Sequence, residues 1–195
     1  YSSVTGVQTC ALPISTHVAF LRAVNVGGRT ARKEQLVAAA ESAGAADVST
    51  FIASGNLLFS PGGLGRSPAA MEQALESAFE DELGFASEVF VRDRKRLAAL
   101  AVGNPWAPEI DVDSGTYNVG FLRSPLSNDA AAGLLALESA EDRLATSSAE
   151  LHWHTAGKMS DSVLFQRPTI DKVIGVPVTL RNIRTVRRLV AKLGD

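Results

Sequence analysis

The chain predicts an α+β fold: tandem ferredoxin-like (βαββαβ) halves with antiparallel sheets, pseudo-duplicated. Three observations predict it. Between His17 and Val91 the patterned segments run strand, helix, strand, strand, helix, strand, the split βαβ order. Glycine, proline and serine punctuate those segments at their ends. Finally, Val18-Ala19-Phe20-Leu21-Arg22 and Val119-Gly120-Phe121-Leu122-Arg123 differ only at the second position, and internal repeats take priority in a fold reading.

His17–Val26 carries Val18, Ala19, Phe20, Leu21, Val24 and Val26, the composition of a buried strand, and Gly27-Gly28 ends it. Lys33–Ala43 follows with Leu36, Val37, Ala39, Ala40 and Ala43 at helical spacing, stopped by Gly44. Val48–Ile52 and Leu57–Ser60 flank the turn Ser54-Gly55-Asn56, a hairpin signal. Ser67 is an N-cap, with Pro68 suited to the first helical position. Met71, Leu75, Phe79 and Leu83 then recur on one face until Gly84. Ala86–Val91 is the fourth strand.

After Val119–Arg123 comes a helix at Asp129–Ser139, then a hairpin of Leu144–Ser147 and Leu151–His154. Met159–Ile174 has no clean period. Val178–Leu180 is a strand, and the last helix carries Ile183, Val186, Val190 and Leu193 on one side. The organisation expected is a non-native tail at 1–15, a first half at 16–93, a linker at 94–115 and a second half at 116–195.

The tail reading has its own basis. Residues 4–14, Val-Thr-Gly-Val-Gln-Thr-Cys-Ala-Leu-Pro-Ile, match the translation of a common sequencing adapter codon for codon. The native chain is then expected to start near Thr16. A secretory signal does not fit, since the stretch has no Lys or Arg and its apolar run is short. Cys10 is the only cysteine, so the rest of the chain holds no disulfide, thiolate metal site or cysteine nucleophile. That pattern is compatible with a cytoplasmic location.

A hydrophobic content of 46% with 21% charge describes an ordinary globule. No apolar run approaches the roughly 20 residues of a membrane helix, so no membrane partner is expected. The net charge of −2 gives no global pull toward nucleic acid. Basic residues do cluster at Arg92, Arg94, Lys95 and Arg96, and again at Arg181, Arg184, Arg187, Arg188 and Lys192. Such runs read as solvated helix faces with local ion pairs, or as an anion-binding face.

Strand-Arg22-Ala23-Val24-Asn25-Val26-Gly27-Gly28, then Ser54-Gly55-Asn56, Asn104-Pro105-Trp106 and Thr179-Leu180-Arg181-Asn182 with Thr185-Val186 form a series. It resembles the DUF1697 family of uncharacterised bacterial proteins. The resemblance runs from His17 to Leu193, with Ile183 where the family often has Trp. It implies a two-part α+β fold and no established activity.

The candidate ligand-binding residues are Arg22, Asn25, Gly27, Gly28, Ser54, Asn56 and Asn182. A strand end, a hairpin turn and a helix start would bring small polar groups into one cleft. Arg22 would supply charge, the glycine amides directed donors, and the asparagines orientation. The rival reading is that these groups satisfy one another as an internal network. Neither G-x-G-x-x-G nor a P-loop occurs. No nucleophile signature occurs, so no catalytic residue or cofactor is read. His152 and His154 share a strand face, with Trp153 on the other. Two histidines are short of a zinc site, so no metal is read. The function read is binding of a small anionic, phosphorylated ligand or of nucleic acid. The alternatives are an enzyme acting on a small anionic metabolite, and a structural or partner-binding protein without a ligand.

Overall fold

The computed structural model describes residues 15–24, 27, 30–52, 55–166 and 169–193. The expected tail at 1–15 lies outside them except for Ser15. The first half comprises β1 (His17–Leu21), α1 (Lys33–Ser42), β2 (Ala46–Thr50), β3 (Asn56–Ser60), α2 (Pro68–Leu83) and β4 (Val89–Asp93), followed by α3 (Arg94–Val102). The second comprises β5 (Thr116–Phe121), α4 (Asn128–Leu135), β6 (Asp142–Ser147), β7 (Glu150–Thr155), the short helices α5 (Val163–Gln166) and α6 (Thr169–Ile174), β8 (Thr179–Asn182) and α7 (Ile183–Lys192). These strands form two antiparallel four-stranded sheets, ordered β2-β3-β1-β4 and β6-β7-β5-β8. The fold is therefore α+β. Among the described residues no helix is long and apolar enough to cross a membrane.

Period-2 alternation sorts each strand between two layers. Along β1, Val18 and Phe20 face a central cluster, while Ala19 and Leu21 face an outer one with α1 and α2. Along β5, Tyr117, Val119 and Phe121 face the same central cluster. A third cluster packs Trp153, Leu151 and Leu144 beneath α4, α5 and α6. Phe20 and Phe121 stack at 4.0 Å between ring centres, joining the sheets. Such a pair contributes about 0.5–1.5 kcal/mol beyond the burial of its area. Leu97 and Leu100 of α3 and Val186 and Leu189 of α7 complete the central layer.

Local chemistry sets the helix ends. Ser67 accepts from the amide of Ala70 at 3.2 Å, Pro68 opens α2, and Gly84 closes it at φ 74°. Asp93 caps α3 and Asn182 caps α7, each through a side-chain oxygen. The difference between Ala19 and Gly120 also has a cause. A Cβ at Gly120 would sit 2.8 Å from a Val178 methyl and 3.1 Å from Leu151.

Several expected boundaries move. β1 ends at Leu21 rather than Val26, because Ala23 adopts φ 56° and leaves the extended region. β2 starts earlier and stops at Thr50: Asp47 has positive φ inside it, at a bulge between Ala46 and Ser49, and Ile52 has positive φ just after it. The stretch 94–115, expected as a linker, opens with α3, because the β4 residue Asp93 caps a helix there. α4 stops at Leu135, short of Ser139. Met159–Ile174 forms a 3₁₀ turn and two short helices.

Candidate functional site

The expected cluster divides. Asn25, Gly28 and Ser54 lie outside the described residues. Gly27 is exposed, with φ 62°. The Arg22 guanidinium binds Glu88 at 3.2 Å and Asp171 at 2.8 Å. It lines a cleft of about 490 Å³ with Arg123, Glu76, Glu80 and Glu88. Arg123 is itself paired with Glu76. Three carboxylates against two guanidiniums do not favour an anion there. Asn182 spends its side-chain oxygen on the Arg184 amide, at 2.9 Å. Asn56 is buried; its Nδ2 donates to the Phe51 carbonyl at 3.1 Å.

What gathers around Asn56 is Arg181, a residue read as part of a basic run and of the Thr179–Asn182 signature but not as a site residue. Its Nε donates to Asn56 Oδ1 at 2.7 Å. Nη2 donates to the carbonyls of Leu21 at 2.9 Å and Gly55 at 3.0 Å, across to the first half. Nη1 donates to Thr179 Oγ1 and the Leu180 carbonyl. The guanidinium carbon lies 5.5 Å from the centre of the Phe20 ring. Every N–H is used, so this cation offers nothing further to a ligand. Burial pulls its pKa down to about 10.

Arg92 makes the mirrored set. Its Nε donates to Glu150 Oε1 at 2.6 Å, and Nη2 to the carbonyls of Leu122 at 2.5 Å and Ala149 at 2.9 Å. Nη1 donates to the Val91 carbonyl, and the guanidinium lies 5.5 Å from the Phe121 ring centre. The strand register matches too: Arg92 is opposite Val18 and Arg181 opposite Val119. Each half thus sends one arginine across to hold the other half's first strand and hairpin. Glu150 also binds Arg96.

Beside that charged group lies a smaller cleft of about 230 Å³. Arg96, Ala99 and Leu100 of α3, Asn104-Pro105, Tyr117, Ser147 and His152 line it. β6 and β7 place Ser147 and His152 together across the hairpin, and β5 brings Tyr117 alongside. Ser147 Oγ lies 2.6 Å from His152 Nε2, and Tyr117 Oη lies 2.8 Å from Nδ1. Burial lowers the His152 pKa to about 4, against the opposing pull of Glu150, and raises Tyr117 to about 12. Both are neutral at pH 7. Tyr117, Ser147 and neutral His152 then carry three mobile protons, and the two hydrogen bonds use two. One hydroxyl proton, on Ser147 or on Tyr117, is left over at the cleft.

The Asn104-Pro105-Trp106 signature builds one wall. Asn104 accepts from the Trp106 amide at 2.9 Å and donates to the Ile110 carbonyl at 2.8 Å. The Trp106 ring meets Tyr117, His154 and His152 edge-on at 5.4, 6.0 and 6.3 Å. Among the described residues, its Nε1 is the one buried side-chain polar atom without a hydrogen-bond partner. Sequence reasoning weighed His152 only as a metal ligand, read Arg96 only as part of a basic run, and passed over Tyr117 and Ser147. The usable signal was register: within the β6–β7 hairpin Ser147 stands opposite Glu150, which puts it on the same face as His152, two residues along.

The solved structure of the conserved bacterial protein SP0830 from Streptococcus pneumoniae is similar in fold, with a TM-score of 0.68. It is 21% identical, and the match covers 93% of this chain and 99% of that one. No curated protein matches. The family model described as "Protein of unknown function (DUF1697)" matches residues 14–152, well over half of the chain. That stretch takes in the first sheet, the Asn104-Pro105-Trp106 wall and the Ser147–His152 pair, and the chain belongs to the DUF1697 family.

Proposed function

We propose that the protein binds a small polar ligand in the Ser147–His152 cleft. The carrying observation is the surplus hydroxyl proton of the Tyr117–His152–Ser147 chain, which calls for an acceptor from outside. Among the described residues lining the cleft, Arg96 is the one that carries a charge, and it favours an anionic or acceptor-rich end on that ligand.

The other half supplies an internal control. At the matching register positions it carries Phe51 for Ser147 and Leu58 for His152. The guanidinium of Arg188 lies 5.2 Å from the Phe51 ring centre, where α3 has the small Ala99. One place is plugged by apolar side chains; the other is hollow and polar. The reading is tested by following the His152 imidazole signals in NMR while small acids, phosphates and amides are added. Binders should shift them and lose affinity in Ser147→Ala. If no compound moves His152 in the folded protein, the reading is wrong.

We further infer that residues 16–93 and 116–195 are copies of one ferredoxin-like unit joined by 94–115. The shared strand order and the two mirrored arginines support this. Rigid superposition of the two sheets with their arginines tests it; a poor fit sinks it.

A second reading rests on α3 and α7, which pack together. Neither helix carries a carboxylate, and Arg94, Lys95, Arg184, Arg188 and Lys192 are exposed. That face suits a nucleic-acid backbone. Binding to RNA and DNA oligomers should then weaken linearly in log K against log salt; a flat or absent response rejects it.

A further inference from the structure

We infer that Ser147 is a nucleophile and His152 its base, and that the cleft carries out acyl transfer on small esters. This rests on the ligand-binding reading of the same cleft. Three groups stand in the order such chemistry requires. Ser147, half-buried, lines the cavity. His152 is behind it, with Nε2 2.6 Å from Oγ. Tyr117 is behind the imidazole, 2.8 Å from Nδ1. A nucleophile, a base within hydrogen-bond reach and a third group orienting the base are the recurring arrangement of activated hydroxyls.

The proton count selects the productive tautomer. With the imidazole proton on Nδ1, donated to Tyr117 Oη, the lone pair of Nε2 faces Ser147 and accepts its proton. The surplus proton is then the tyrosine's own. Tyr117 is a positioning residue: it touches the imidazole, not the ester. Burial keeps His152 unprotonated at neutral pH, so the base is free. Arg96 lines the cavity and donates to the Ser147 carbonyl at 3.2 Å. It is the cation that the cavity presents to an oxyanion formed on the acyl group bound to Ser147.

The step balances without a further reagent. Ser147 Oγ bonds to the acyl carbon as its proton passes to His152 Nε2. The bond from that carbon to the alkoxy oxygen breaks, and the alcohol leaves with the proton from Nε2. Water then gives a proton to Nε2 and its oxygen to the acyl carbon. The Oγ–acyl bond breaks, and Ser147 recovers its proton. At about 230 Å³ the cavity is below the roughly 300 Å³ at which drug-sized sites begin, so the acyl group is small.

The register comparison makes the placement specific to one half. Phe51 and Leu58 stand where Ser147 and His152 stand, so the scaffold alone does not demand a serine or a histidine there.

The test is covalent labelling of the full chain with an alkyl fluorophosphonate, which forms an Oγ–P bond and releases fluoride. Intact mass and peptide mapping locate the adduct. The expected result is a single adduct on Ser147, absent in Ser147→Ala and formed at least ~100-fold more slowly in His152→Gln, the lower end of general-base contributions. Tyr117→Phe should still label. Its pH midpoint should move, because the hydroxyl is one of the groups facing His152 together with Ser147, Glu150 and Arg96. Should His152→Gln fail to fold, Ser147→Cys in a Cys10→Ser background replaces it. Iodoacetamide should alkylate that thiol at pH 7 faster than it alkylates free cysteine. An adduct elsewhere, labelling of His152→Gln at the wild-type rate, or sluggish alkylation of the Ser147→Cys thiol overturns the inference. So does an unlabelled wild type. If ligands still shift the His152 signals in that protein, binding stands and only the nucleophile falls.

Discussion

The two clamps use the same backbone and different chemistry. Arg92 meets a carboxylate, Glu150, which is 1% exposed and shared with Arg96. Arg181 meets only a neutral amide, Asn56, and four backbone or hydroxyl acceptors. Both leave a guanidinium over a phenylalanine ring. A buried cation therefore does not need a counter-charge in this fold if every N–H has an acceptor. What the counter-charge adds at Glu150 is a second arginine, Arg96, drawn to the rim of the Ser147–His152 cleft. The clamp with a carboxylate is the clamp beside a cavity. The clamp without one lies on the side plugged by Phe51.

The largest expected effect breaks the charged clamp. Glu150→Gln removes the negative charge and turns one of its two oxygens into an NH2 that faces a guanidinium donor, Arg92 or Arg96. We expect a loss of about 3–5 kcal/mol in urea unfolding, the usual cost of removing one partner of a buried pair. A loss below about 1 kcal/mol would make the two clamps equivalent.

Next is the polar lining against the apolar plug. His152 titrates at about 4 when folded, against 6.5 when free. Its folded pKa is lowered, so its contribution is complete above pH 6.5. It falls as the unfolded chain takes up the proton between pH 6.5 and about 4. Stability should drop by of order 3 kcal/mol across that window. His152→Leu, which copies Leu58, should flatten the profile; an unchanged slope assigns the titration elsewhere.

Arg181→Met should cost about 1–3 kcal/mol, because the Leu21 carbonyl and Asn56 Oδ1 lose the donor that Arg181 gives them, while the Gly55 carbonyl keeps the Leu21 amide. The smallest effect sharpens the comparison. Asn56→Asp gives Arg181 the carboxylate that Arg92 has, and gives up the donor to the Phe51 carbonyl. The two changes should offset to within ~1 kcal/mol. A large gain in the denaturation midpoint would mean that charge, not hydrogen bonding, limits this clamp.

Much of the fold was legible because its causes are local. Alternation in Val18–Leu21, the Ser67-Pro68 start and the Gly84 stop are written within single segments, and the structure follows them. Strand ends were misjudged where positive φ fell on ordinary residues, Ala23 and Ile52, which carry no turn signature. The site was less legible. Arg181 binds mainly backbone carbonyls, and a carbonyl leaves no mark on the sequence. Ser147, His152 and Tyr117 meet only through the pairing of β5, β6 and β7. Arg22 looked free to act because Glu88 and Asp171 are remote in sequence. Asn56 was read as a ligand-binding candidate at a hairpin turn; in the structure it is buried and its side-chain oxygen accepts from Arg181.

The crossing of the two arginines has a consequence for synthesis. When Leu122 and Glu150 leave the ribosome, Arg92 has already been made, so the second half emerges to a clamp that is waiting. The first half has the opposite order. Asn56 must wait for Arg181, 125 residues further along. At roughly 5–20 residues per second, that is on the order of 6–25 s during which the Leu21 carbonyl and Asn56 Oδ1 lack the donor that Arg181 brings. The nascent first half is complete in its strands long before it is complete in its hydrogen bonds.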